Sequence, residues 1–112
     1  MQCNNIEKRV IEQFKNAARD RNPEMTADLF GQILQSAEPH IAETIETKYS
    51  AYMNTYGEDL HQACASRLLT DLCMFDMEKD EFGTFVRTLS SQACRDLINQ
   101  INAYATRLAC RG

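Results

Sequence analysis

Apolar positions recur at helical intervals along nearly the whole 112-residue chain. Ile6, Val10, Phe14 and Ala17 follow at steps of four, four and three, which predicts a first helix over 5–19 capped by Asn4 or Asn5. The segment Arg21-Asn22-Pro23 interrupts it. Pro23 suits the first turn of a second helix, where its missing amide costs nothing, and Met25, Leu29, Ile33 and Leu34 carry the stripe. This helix is expected to end before Pro39, because proline disfavours helical geometry in the residue ahead of it.

A third helix is predicted over 39–56, with Ile41, Ile45, Tyr49, Tyr52 and Tyr56 on one face and Gly57 closing it in the left-handed conformation. The fourth, over 58–77, opens with Glu58 and Asp59 at the positive end of its dipole. It ends in LLTDLCMFDM, where Leu68, Leu69, Leu72, Cys73, Met74, Phe75 and Met77 leave only a narrow polar strip. A helix apolar all round is buried on several sides, so this one is expected at the centre of a bundle or at an interface with a second subunit.

From Glu81 onward, Phe82, Val86, Leu89, Ala93, Leu97, Ile101, Tyr104 and Leu108 hold one stripe in register. A continuous helix of that length spans roughly 40 Å, more than the width of a compact domain this small. One end would then project, and its apolar face would need a partner; Ser90-Ser91 is the place for a kink. No segment alternates as a strand does. The fold class read from the pattern is all-α, a compact bundle of five to six helices in one domain over 1–112, with a long C-terminal helix over about 81–109, kinked, if anywhere, near Ser90-Ser91.

Composition narrows the function classes. With 44% hydrophobic residues the chain can build one core. It has no apolar run of the roughly 20 residues a membrane helix needs, and MQCNNIEKRV lacks the apolar stretch of a secretory signal, so no membrane partner is expected. The net charge of −4 gives no general attraction for phosphate backbones, so no nucleic-acid partner is expected either. Charge is nonetheless uneven. Ten acids face three bases over 38–81, whereas four arginines face Asp96 alone over 82–112. An acidic middle and a basic end can attract each other across a dimer.

Five cysteines, Cys3, Cys64, Cys73, Cys94 and Cys110, form no CxxC pair and cannot all pair within one chain. Reduced, packed thiols in a cytoplasmic protein are the first expectation. An extracellular helical protein with two internal disulfides and one linking cysteine is the second.

Candidate chemistry is sparse. Asp76, Glu78 and Asp80 match the first, third and fifth ligands of a calcium loop, but Glu81 takes the glycine position and Arg87 that of the bidentate glutamate. The acidic run is therefore read as a linker, with Asp80 capping the next helix. One Glu-x-x-His pair, Glu58 to His61, lacks the second pair a di-iron bundle requires. His61, Cys64 and Cys73 are weak zinc candidates one ligand short. His61 and Cys64 also lack the orienting acid and oxyanion turn of a nucleophilic site. No metal, no cofactor and no enzymatic activity are expected.

The sequence reads as a non-enzymatic protein–protein interaction module: a small cytoplasmic regulator, adaptor or inhibitor, homodimeric, acting by steric occupation of another protein. The alternatives are a secreted disulfide-stabilised ligand or carrier and a metal-binding helical bundle. Tyrosine gives large contact area with a polar tip at low entropy cost, so Tyr49, Tyr52 and Tyr56, with Met53, Leu69 and Met77, are the expected protein-binding residues.

Overall fold

The structure is a computed structural model that describes the backbone of residues 5–111 and the side chains of 8–109. The expected cap at Asn4 or Asn5, the apolar contact of Ile6, and Cys3 and Cys110 lie outside the described side chains. The described residues are helical without strands, in the order α1 (Asn5–Arg19), α2 (Pro23–Lys48), α3 (Met53–Asp71) and α4 (Phe82–Arg111). Short 3-10 turns at Ser50–Tyr52 and Leu72–Met74 flank α3. Four α-helices stand where five to six were expected, and the difference lies mainly at Pro39.

The first helix ends where the sequence places its break. Arg21 takes a positive φ of 57°, its amide donates to Ala18 O (3.2 Å), and the Asn22 amide donates to Ala17 O (3.0 Å). These two bonds satisfy the last carbonyls of α1 in the left-handed termination that glycine usually provides. Asn22 then starts α2, its side-chain oxygen accepting from the Met25 amide at 3.2 Å, with Pro23 in the first turn. One residue thus closes one helix and opens the next, setting α1 and α2 antiparallel.

α2 does not stop before Pro39 but runs through it. An internal proline costs about 3 kcal/mol through one lost hydrogen bond and a ring clash. Against that stand Ala37, Ile41, Thr44 and Ile45, all buried in register with Leu29 and Ile33. Burying Ile41 and Ile45 alone stabilises by about 3–6 kcal/mol, enough to offset the penalty. Pro39 itself lies on the exposed face, where the orphaned carbonyl of Gln35 is open to water.

The expected helix over 39–56 is instead broken at Tyr49, whose φ of −131° and ψ of 25° are not helical. No glycine or proline marks this corner. Side chains tie it to α4: Lys48 Nζ donates to Ser91 Oγ (2.9 Å) and Tyr49 Oη to Ser91 O (3.1 Å). Gly57 is not a cap; it lies inside α3 and has no positive φ.

α3 ends at Asp71 rather than Met77, and LLTDLCMFDM is not enclosed on all sides within the chain. Leu68, Leu72 and Phe75 are buried, whereas Leu69, Cys73 and Met74 face outward. The central helix is α2, which packs against α1, α3 and α4.

The acidic linker is tied by its own hydrogen bonds. Asp76 Oδ1 accepts from the Glu78 amide (3.0 Å) and Asp76 O from the Asp80 amide (3.0 Å). The Phe85 amide donates to Glu81 O (3.0 Å), so the cap position falls on Glu81 and not on Asp80. Lys15 Nζ donates to Phe75 O at 2.6 Å, holding this linker to α1. The Phe75 ring stacks on Phe85 with centroids 4.4 Å apart and meets Phe82 at an angle.

α4 is one unbroken helix, and Ser90 is buried within it. It runs parallel to α2, through His40–Phe82 and Tyr49–Ser91, and antiparallel to α3, through Cys64–Cys94 and Arg67–Gln92. Its first half covers the core and its last turns do not. The described chain measures 53 × 31 × 22 Å with a radius of gyration of 16.0 Å, against about 13 Å for a compact chain this long.

Candidate functional site

The stripe that builds α4 changes environment along its length. Phe82, Val86, Leu89, Ala93 and Ile98 are buried, Leu97 and Ile101 are half-buried, and every residue from 102 to 109 is exposed. Tyr104 and Leu108 continue the same face at 62% and 50% exposure. The sequence keeps an apolar face on two helical turns that no other element among the described residues covers. Because α3 and α4 are antiparallel, the first turn of α3, with Met53 and Tyr56, lies at the same end of the molecule.

The six expected protein-binding residues divide by burial. Met53 and Leu69 are exposed. Tyr49, Tyr52, Tyr56 and Met77 are half-buried and pack against the core. The Tyr49 hydroxyl is already engaged by Ser91 O. Leu69 sits beside Phe30 and Pro23 in a shallow apolar groove between the α1–α2 corner and α3. Met77 and Cys73 border another depression, with Lys15 and Arg19 of α1. Tyr104 and Leu108 are not among these six residues, although both belong to the stripe whose projecting end is expected to need a partner.

The weak metal candidates do not converge. His61 Nδ1 lies 3.6 Å from Glu38 Oε2 at the half-exposed rim, Cys64 points into the α3–α4 seam, and Cys73 is exposed beyond the end of α3. Among the described residues no group of three or more histidine, cysteine or acidic side chains could hold a metal ion. No described helix is long and apolar enough to cross a membrane.

A thiol pair lies deep in the α3–α4 seam. Cys64 Sγ and Cys94 Sγ are 3.5 Å apart, both fully buried, and Cys64 Sγ is 3.7 Å from Ser90 O. The hydrogen bond from Cys94 holds the Cys64 thiol below its ordinary pKa. The same bond, reinforced by burial, pushes Cys94 well above the ordinary thiol range. Ser90 Oγ, one turn before Cys94, is buried with no hydrogen-bond partner among the described residues.

Two turns nearer the start of α4, Arg87 bridges to α2. Its Nη1 is 3.3 Å from His40 Nδ1 and 3.8 Å from Glu43 Oε2, and the His40 ring meets Phe82 edge-on. This cluster is half-buried and fixes α4 against α2 at the helix start. Comparison of the chain with protein-family models, with curated proteins and with solved structures returns no match.

Proposed function

We propose that the chain is a non-enzymatic protein-interaction module that works as a homodimer, a cytoplasmic regulator or inhibitor that covers a partner protein's surface. The observation that carries this reading is the uncovered end of α4, where Tyr104 and Leu108 prolong a core stripe into solvent. Charge argues for a second copy as its occupant. Arg107 lies within the exposed stripe, in the segment where four arginines face one aspartate. Glu46, Glu58 and Asp59 are exposed and belong to the acidic segment that carries Tyr52, Met53 and Tyr56.

A two-fold axis at this end of the molecule lays each α4 tip on the partner's α3 start, basic on acidic, and the contact is made twice. Leu69 and its groove remain free for the regulated protein. Lasting interfaces bury about 1,200 Å² or more; two short helical tips offer an interface at the small end of that range, so a weak dimer is expected.

Sedimentation equilibrium tests this directly. The wild-type chain is expected to dimerise at micromolar concentration and to weaken with added salt, while Leu108→Glu, at an exposed position, stays monomeric with unchanged helicity. A monomer at every concentration refutes the dimer.

A further inference from the structure

We propose that Cys64 and Cys94 are a redox-active dithiol, closing to an intrachain disulfide that staples α3 to α4 when the protein meets a hydroperoxide. The inference does not depend on the dimer or on its function.

Geometry carries it. The two cysteines lie 30 residues apart in sequence yet meet Sγ to Sγ at 3.5 Å across antiparallel helices. A disulfide needs about 2.05 Å, so the sulfurs close by roughly 1.5 Å. Ser90 adds a polar neighbour: its carbonyl lies 3.7 Å from Cys64 Sγ, and its hydroxyl is buried with no partner among the described residues.

The bonded arrangement also assigns the order of events. Either thiol can donate across the 3.5 Å contact; with the proton on Cys94 the thiolate is favoured at Cys64, the direction in which its pKa is shifted. Both sulfurs are fully buried, so the hydroperoxide reaches them when the α3–α4 seam opens locally; the Cys64 thiolate then attacks one of its oxygens, the O–O bond breaks, and Cys64 becomes a sulfenic acid as hydroxide or alkoxide leaves. Cys94 sulfur then attacks the Cys64 sulfur and expels the second oxygen as water. The two thiols lose two electrons and two protons, the peroxide gains them, and the S–S bond replaces two S–H bonds. A dithiol reductant reverses the change by exchange.

Cys73 is exposed, and the chain has two further cysteines, Cys3 and Cys110, so the test uses the chain in which these three are serine, with Cys64 and Cys94 intact. Folded protein is treated with hydrogen peroxide and analysed by mass spectrometry, thiol titration and thermal melting. The expected product has lost the mass of two hydrogen atoms, has no titratable thiol, yields a linked 64–94 peptide, and reverts with dithiothreitol. Its Tm rises by roughly 10 °C, because a cross-link across a loop of this length constrains the unfolded chain. The further variant Cys94→Ser, made in the same background, is expected to gain oxygen at Cys64 instead of losing hydrogen. Two thiols that persist under peroxide, or oxygen adducts on the paired chain without a 64–94 link, overturn the proposal.

Discussion

Gly83 lies directly against the ring of His40: a Cβ on Gly83 would stand 2.8 Å from His40 Cε1. The ring cannot simply swing aside, since Arg87 holds its Nδ1 and Phe82 meets it edge-on. The first turn of α4 therefore approaches α2 as closely as it does because position 83 carries no side chain.

The three helical glycines are accordingly expected to respond with opposite signs. Gly31 and Gly57 have nothing within 4 Å of a built Cβ, so Gly31→Ala and Gly57→Ala each gain up to about 1 kcal/mol from helix propensity. Gly83→Ala gains less near a helix start and meets an overlap that costs about 1–3 kcal/mol, for a net loss of about 1 kcal/mol. Urea midpoints check all three. In a His40→Ala background the loss at position 83 disappears, and a loss that survives there would exclude the ring as its cause.

Pro39 offers a second test, because α2 keeps it inside the helix at an exposed position. Replacing it with alanine restores an amide donor to the Gln35 carbonyl and removes the ring clash. Pro39→Ala is expected to raise unfolding free energy by about 1–3 kcal/mol, read from denaturant unfolding. A loss of stability would mean that the proline bends α2 into the path its core contacts require.

The helical character of the chain and the length of α4 were legible because both rest on periodicity, which burial enforces. The stripe from Phe82 to Leu108 has the same register in sequence and structure. Boundaries were legible only where local chemistry and packing agree, as at Arg21-Asn22-Pro23. At Pro39 the local rule loses to buried isoleucines spaced along a continuous face. At Tyr49 the chain breaks without a local breaker, through side-chain bonds from Lys48 and Tyr49 to Ser91, 42 and more residues away. The facing of Cys64 and Cys94 is likewise a product of helix register across the α3–α4 pair, which no spacing along one chain encodes. Tyr104 and Leu108 carry the same pattern as core residues, and only the end of neighbouring structure distinguishes them.

The thiol pair also gives stability a distinctive pH profile under reducing conditions. Cys64 is depressed in the folded state, so its contribution is present above the unfolded thiol pKa of about 8.5 and is lost as pH falls toward the folded value. Cys94 is raised, so its contribution is present below about 8.5 and is lost as pH rises. Above about pH 9 the unfolded chain has released both protons while the folded chain keeps the one between the sulfurs. The folded state then binds one proton more, and the pair's contribution falls by up to about 1.4 kcal/mol per pH unit. Tyrosine and lysine ionisation add their own slope, which is common to wild type and to Cys64→Ala/Cys94→Ala. The difference in unfolding free energy between these two proteins, measured from pH 6 to 10.5 with reductant present, is therefore expected to peak near pH 8.5. A flat difference curve would show that the buried sulfurs do not share a proton.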